Sequence, residues 1–343
     1  MLPYSLLKPL VFSLDPETAH DATIACLRLQ GALLPPSPTP QTIPIEVMGI
    51  KFPNRIGLAA GMDKNASAID GLARLGFGFI EVGTVTPRAQ SGNPRPRLFR
   101  LPQQKAIINR MGFNNHGVVE IIENIRNSHY YKQAGILGIN IGKNASTPIS
   151  QANDDYLFTL KQVYPYASYI TINISSPNTS NLRQLQNQSE LESLLAELKQ
   201  KQQELAQQHG KHVPLALKIS PDINETQISQ VADSVRRHRI EALIATNTTV
   251  ERTGLSGDNS QQSGGLSGKP LLALSTRVLH SFAEKLAGEI PLIASGGVCS
   301  AEDALSKLEA GAQLVQIYSG LIYHGPELIK KCVAATAGYL SSH

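Results

Sequence analysis

The sequence predicts an α/β protein, a parallel (β/α)8 (TIM) barrel with an N-terminal two-helix extension. Three observations carry that prediction. Eight short apolar runs of strand length follow one another between residues 55 and 317, helical patterns separate most of them, and polar residues or glycines stand where each run ends. Parallel strands need crossover helices and are buried on both faces, so continuous apolar strands alternating with helices point to a parallel sheet. Eight repeats are the number at which such a sheet closes on itself. A doubly wound open sheet is the alternative. The 343 residues suffice for one such barrel and an extension.

Composition narrows the function classes. With 41% hydrophobic and 17% charged residues the chain reads as an ordinary globular protein. A net charge of +4 without any Lys/Arg run argues against a nucleic-acid partner. Cys26, Cys299 and Cys332 are far apart and fit neither a disulfide framework nor a CxxC metal pattern, so a reducing compartment and no metal site are predicted. Cys299 follows a Gly-Gly pair but has no base in prospect, and reads as a packing residue.

Residues 1–40 are predicted to form a helical hairpin and residues 41–343 the barrel. Leu2, Leu6, Leu7, Leu10, Val11 and Leu14 recur at helical spacing, and Asp15-Pro16-Glu17 starts a second helix through His20, Thr23, Ile24 and Leu27 that ends near Gly31. The Pro-rich stretch Leu34 to Pro40 reads as a stiff linker. The hairpin is too short to span a bilayer and lacks the marks of a signal peptide. Its periodicity fits a lid packed on the barrel or an amphipathic pair lying on a membrane surface.

The eight strands are predicted at Arg55–Ala60, Phe77–Gly83, Ile136–Ile141, Tyr169–Ile174, Leu215–Ile219, Ala242–Thr246, Leu292–Ala294 and Leu314–Ile317. Between them the clearest helix is Glu190–Gln208, with Ser189 and Glu192 spaced as a capping box, an apolar face of Leu191, Leu194, Leu195, Leu198 and Leu205, and Gly210 to close it. Two connections are too long for turns. Thr84–Gly117 carries Arg88, Arg95, Arg97, Arg100 and Arg110, and Thr248–Pro270 is rich in Gly and Ser. Both leave C-terminal strand ends, the face on which barrels build active sites.

The strand ends supply Gly61 to Lys64, Thr84, Asn140, Asn173 with Ser176, Lys218, Thr246-Asn247-Thr248, Ser295-Gly296-Gly297 and Tyr318-Ser319-Gly320. Glycines after the seventh and eighth strands are where barrels hold a phosphate on backbone N–H groups. Lys64 and Lys218 need anions if buried. Each feature alone has a plain explanation: Gly-Gly makes turns, a terminal lysine is usually solvated, and Ser-Pro is a turn signal. Their coincidence over eight strands points to a site for a phosphorylated, anionic ligand. No Gly-x-Ser-x-Gly elbow or nearby histidine marks Ser176 as an acylating nucleophile, yet its hydroxyl can accept a proton that neighbours relay onward.

The residues that carry a family resemblance are Gly57 to Lys64, Glu81 to Pro87, Asn109 to Asn115, Gly138 to Lys143, Asn173 to Asn178, Ala245 to Thr249, Gly264 to Gly268 and Val315 to Gly320. Over residues 54 to 330 the chain resembles the dihydroorotate dehydrogenases, and among them class 2, the membrane-associated form that uses a quinone. The resemblance implies an FMN enzyme that oxidises dihydroorotate to orotate in pyrimidine (UMP) biosynthesis and passes electrons to ubiquinone or menaquinone. It places FMN contacts on Ala60, Gly61, Met62, Asp63, Lys64, Thr84, Asn140, Asn173, Lys218, Thr246, Gly268, Gly297, Tyr318 and Ser319. Substrate contacts fall on Lys64, Asn109, Arg110, Met111, Gly112, Phe113, Asn173, Asn178, Asn247 and Thr248. Ser176 stands where class 1 has cysteine, and would take a proton from substrate C5 while hydride leaves C6 for flavin N5, with Lys218 offsetting charge at the flavin N1/O2 edge. Thr179 to Gln188 would be a lid. The extension would attach the protein peripherally to the cytoplasmic face of the bacterial inner membrane, with His20 and Arg100 lining a quinone tunnel. Ala66 departs from the glycine expected in many relatives. The alternatives are a soluble class 1 enzyme using fumarate or NAD, and a flavin-free barrel lyase or isomerase acting on a sugar phosphate.

Overall fold

The structure is a computed structural model that describes residues 4–34 and 42–339; Leu2 and most of the Pro-rich linker lie outside them. Helices α1 (Tyr4–Ser13) and α2 (Pro16–Leu33) form the extension. Asp15 caps α2 by accepting from the Glu17 and Thr18 N–H groups at 3.1 and 3.0 Å, and Pro16 takes the first position, where its missing donor costs nothing. The helix runs two residues past Gly31, the predicted end.

The strands in chain order are β1 (Ile45–Val47), β2 (Ile50–Phe52), β3 (Ile56–Leu58), β4 (Phe79–Val85), β5 (Arg88–Gln90), β6 (Leu98–Leu101), β7 (Ala106–Asn109), β8 (Asn115–Gly117), β9 (Leu137–Ile141), β10 (Tyr169–Asn173), β11 (Leu215–Ile219), β12 (Ala242–Ala245), β13 (Gly265–Gly268), β14 (Leu292–Ser295) and β15 (Leu314–Ile317). Helices α3 (Ile69–Ala73), α4 (Val118–Asn127), α5 (His129–Lys132), α6 (Ala152–Val163), α7 (Gln188–His209), α8 (Glu225–Arg237), α9 (Leu272–Leu286), α10 (Ala301–Glu309), α11 (Ser319–His324) and α12 (Pro326–Thr336) connect them. A closed parallel barrel runs β3-β4-β9-β10-β11-β12-β14-β15, so all eight predicted strands are present and the barrel is shut.

Two apolar layers hold it. Outside, strand residues such as Val82, Ile139 and Ile172 pack on helix residues such as Leu194 and Leu198. Inside the lower half, the unpredicted β1-β2 hairpin plugs the barrel with Val47 and Phe52 against Phe79, Tyr169, Ile244 and Ile293. Phe52 meets Phe79, and Phe79 meets Tyr169, edge to face at 5.1 and 6.3 Å. The Tyr169 hydroxyl then donates to Glu81 Oε2 at 3.0 Å, and there the interior changes from apolar to polar.

Two local expectations are corrected. The Ser189/Glu192 capping box does not form, because α7 starts earlier, with Asn187 as N-cap; Ser189 lies inside the first turn and donates to Glu190 instead. Glu192 bonds Ser234, Arg237 and His238. The leucine face is buried as predicted, and Gly210 closes the helix at φ +64°. The long connections are not plain loops: β6 and β7 of the first form an antiparallel hairpin, and β13 of the second pairs antiparallel with β7, over a small core of Phe99, Leu101, Ala106, Ile108 and Leu266.

The extension docks on that first connection. Glu17 on α2 and Arg97 form a buried ion pair at 2.7 Å, and Arg100 donates to the carbonyls of Val11 and Leu14 and stacks over Phe12, 4.7 Å from its centroid. Leu6, Leu7, Leu10, Leu14, Leu29 and Leu33 remain exposed. Among the described residues no helix is long and apolar enough to cross a membrane.

Candidate active site

Barrel register brings the strand ends into one layer. Asn173 lies beside Lys218, Gly83 beside Asn140, and Ser295 beside Gln316. The cleft above them, about 1020 Å³ with the open solvent at its mouth included, is lined by nineteen of the predicted residues. Ala60, Gly61, Lys64, Thr84, Thr246, Gly268, Gly297, Tyr318 and Ser319 face it, as do Asn109, Met111, Gly112, Phe113, Asn173, Ser176, Asn178, Lys218, Asn247 and Thr248. Six others do not. Met62 is packed in the core, and Asp63 is spent on its own turn, accepting from Ser67 and Ala68 N–H at 2.9 and 2.7 Å. Asn140 is fully buried and bonded to Thr84, Glu81 and Asn173, and Arg110 turns away to Gln262 and Ser263 over the Phe99 ring. His20 and Arg100 belong to the docked extension and its contact loop and do not line the cleft. In the Asp63 turn, Ala66 adopts φ +57°, the left-handed conformation that explains why glycine is expected there.

The floor is a connected polar network. Asn173 Nδ2 donates to Thr84 Oγ1 at 3.0 Å and Asn140 Oδ1 at 3.2 Å, while its Oδ1 accepts from Ser175 Oγ and Asn247 Nδ2, both at 3.2 Å. Asn140 Nδ2 donates onward to Glu81 Oε1 at 2.9 Å. Glu81 Oε2 accepts from Thr171 at 3.1 Å and Gln316 Nε2 at 2.6 Å as well as from Tyr169. Sequence reasoning gave Glu81 no role; a glutamate inside an otherwise apolar strand was the available signal. Its charge answers Lys218, whose amine is pushed below its ordinary pKa by burial and held up by Glu81. Lys64 opens onto the cleft although it lies deep in the protein. Burial pushes it down to about 8, opposed chiefly by Glu17 of the extension.

Ser176 is buried at the wall and accepts the Asn178 N–H at 3.2 Å. Asn178 Nδ2 reaches Asn109 Oδ1 at 3.1 Å, which ties this loop to β7. The following segment is pinned down by Arg183, which donates to Ser175 O at 3.3 Å, Asp222 at 2.9 Å and Thr248 O at 3.2 Å. At the opposite end of the cleft, Gly297 has φ +87°, and a Cβ there would sit 2.3 Å from Leu272 Cα, so only glycine lets the backbone form this wall. Cys299 behind it is pushed up to about 11 by burial, which keeps the thiol neutral and unreactive.

The dihydroorotate dehydrogenase family profile matches residues 42–337. The chain is 58% identical over 340 residues to dihydroorotate dehydrogenase (quinone) of Aromatoleum aromaticum, covering 99% of this chain and 96% of that protein. It is 59% identical over 337 residues to the protein of the same name from Azoarcus sp., covering 98% and 99%. Among solved structures, DHODH from Eimeria tenella in complex with ferulenol superposes with a TM-score of 0.88 at 34% identity, over 95% of this chain and 93% of that one. Its ligand-free form gives 0.86 at 37%, over 94% of each.

Proposed function

This chain belongs to the dihydroorotate dehydrogenase family, and from that premise we propose that it oxidises dihydroorotate to orotate for pyrimidine biosynthesis, with FMN as resident cofactor and a quinone as electron acceptor. The observation that carries this reading is one cleft that joins a glycine wall, two lysines and a buried serine among four asparagines. The residues fit FMN: Gly296 and Gly297 bring bare backbone to the cleft wall, and the buried Gln316 Oε1 has no hydrogen-bond partner among the described residues. Gly268, Gly297, Tyr318 and Ser319 would hold the phosphate, and Ala60, Gly61, Lys64, Thr84, Asn173, Lys218 and Thr246 the ring. Bound there, FMN supplies the acceptor for the hydride that leaves substrate C6.

The chain's own residues do the rest. Asn109, Asn173, Asn178 and Asn247 are positioned to fix a small ring with amide groups, and Lys64 its carboxylate, an orientation worth several kcal/mol of barrier. Ser176 receives the C5 proton and passes its own to water. Its single hydrogen bond among the described residues, from the Asn178 N–H, leaves a lone pair for that role. Lys218 offers positive charge at the cleft floor. Residues 1–40 would form the quinone tunnel, with His20 and Arg100 near its inner end, and the exposed leucines of α1 and α2 would rest on the membrane. A soluble fumarate- or NAD-using enzyme has less support, because the named relatives are quinone enzymes and serine stands at position 176.

The test is Ser176→Ala in the full-length protein. It is expected to keep its flavin absorbance and lose flavin reduction by dihydroorotate about a hundredfold or more. Unimpaired reduction removes Ser176 from the reaction, and turnover with fumarate or NAD but not with a ubiquinone analogue overturns the choice of acceptor.

A further inference from the structure

Lys307 is a fully buried lysine that the proposed chemistry does not use. Among the described residues it forms no ion pair, and its Nζ donates to Ser275 Oγ on α9 at 2.6 Å. The nearest acid on its own helix, Asp303, is occupied by Lys269 at 2.8 Å and the Cys299 N–H at 2.9 Å. Burial pushes the Lys307 amine down to about 7. Whether ammonium or amine, it keeps a proton to donate. A cation-forming group in an apolar interior is costly to keep, so its one contact calls for a purpose.

That contact leads to the cleft. Ser275 Oγ lies 2.9 Å from the Gly296 carbonyl oxygen and 3.1 Å from that of Leu272. A hydroxyl has one proton to give. With Lys307 on a lone pair, the proton is turned toward these carbonyls, the nearer of which is Gly296. The Gly296–Gly297 peptide bond is trans, so a carbonyl drawn inward toward α9 aims the Gly297 N–H the opposite way. Both glycines line the cleft, and among the described residues that N–H has no hydrogen-bond acceptor.

We infer that Lys307 and Ser275 are positioning residues whose hydrogen-bond chain to the Gly296 carbonyl aims the Gly297 N–H into the cleft to receive the phosphate of the cofactor. The inference rests on the FMN reading above. Lys307 never touches the ligand; it acts through Ser275 and the peptide plane.

The experiment compares FMN with riboflavin, which shares the ring and lacks the phosphate, as ligands of the full-length apoprotein carrying Lys307→Met or Ser275→Ala. Flavin fluorescence quenching gives both dissociation constants. The expected result is that the Kd for FMN rises about tenfold or more in each variant, as loss of an aimed donor to a charged group requires. The Kd for riboflavin should stay within about twofold of wild type. Equal weakening of both ligands would mean that the pair only stabilises the fold, and no change in the FMN-to-riboflavin ratio would also overturn the proposal. Ser275→Ala removes only one oxygen and keeps the test available if Lys307→Met does not fold. Wild-type protein that binds neither flavin, or binds both equally, refutes the phosphate-dependent FMN reading itself and is distinguishable from failure in the variants alone.

Discussion

Glu17→Gln should release the helical extension from the barrel while leaving the barrel folded. Glu17 and Arg97 are 4% and 6% exposed, so their pairing is little screened. Arg97 Nε donates to the two carboxylate oxygens at 3.1 and 3.2 Å, and Nη2 donates to Oε1 at 2.7 Å. Arg95 also reaches Glu17 at 3.0 Å, but it is 61% exposed and adds little. At 2.7 Å the attraction is about 6 kcal/mol at an effective dielectric constant of about 20, and desolvation of the two ions offsets most of it. Removing one partner exposes the other's desolvation cost, about 3–5 kcal/mol; glutamine keeps the shape and one acceptor, which favours the lower end, about 3 kcal/mol. That is roughly a hundredfold in the opening equilibrium of the extension. Hydrogen exchange at neutral pH should show amide protection in α2 falling by about two orders of magnitude, with β4, β9 and β10 unchanged. Glu17→Gln/Arg97→Gln should recover part of the loss. Burial raises the Glu17 pKa, but Arg97's hydrogen bonds and charge, then Arg95's, outweigh it and hold the carboxyl below its ordinary 4.5. A depressed carboxyl pKa gives stability that is complete above about 4.5 and is lost as pH falls through the folded value, so wild-type α2 protection should fall on acidification and the glutamine variant's should not. Protection of α2 in Glu17→Gln within threefold of wild type at pH 7 would refute the latch.

Three further outcomes are expected. Burial, then Lys64, pushes His20 from 6.5 down to about 3; the unfolded chain binds a proton between those values that the folded one refuses, so stability falls as pH drops through that window. His20→Gln should flatten the decline, measured by urea unfolding at pH 7 and pH 5. Gly297→Ala forces a Cβ to within 2.3 Å of Leu272 Cα at φ +87°, and should cost about 2 kcal/mol or more and abolish flavin retention, read by thermal unfolding and absorbance. Glu81→Gln turns an acceptor into a donor among four donors and removes the charge that supports Lys218. A loss of about 3 kcal/mol in chemical denaturation is expected, and wild-type stability would show that the network does not depend on the carboxylate.

The barrel was legible because parallel strands buried on both faces must be apolar throughout, and that property survives in one dimension. The polar strand ends were legible for the same reason: they stand out where each apolar run stops. The two arginine- and glycine-rich connections gave no such signal. Their three-stranded sheet depends on the pairing of β7 with β13, segments about 150 residues apart, as with Asn109 and Gly265. The capping box failed at Ser189 because the start of α7 is set by the chain that packs before it. Met62, Asp63 and Arg110 sit beside residues that face the cleft, yet nearness in sequence does not say which way a side chain turns.

The sequence by itself determined which segments are the eight barrel strands, where polar residues and glycines gather at their ends, and through the serine at position 176 which class the protein resembles. Only the tertiary structure decided how the buried charges are balanced: Glu81 of β4 answers Lys218 of β11, Glu17 of α2 answers Arg97, and Lys307 settles on a serine. Those pairings follow from a low-dielectric interior, where an interaction depends on separation across the barrel and on what water is excluded, and neither quantity is written in the spacing of residues along the chain.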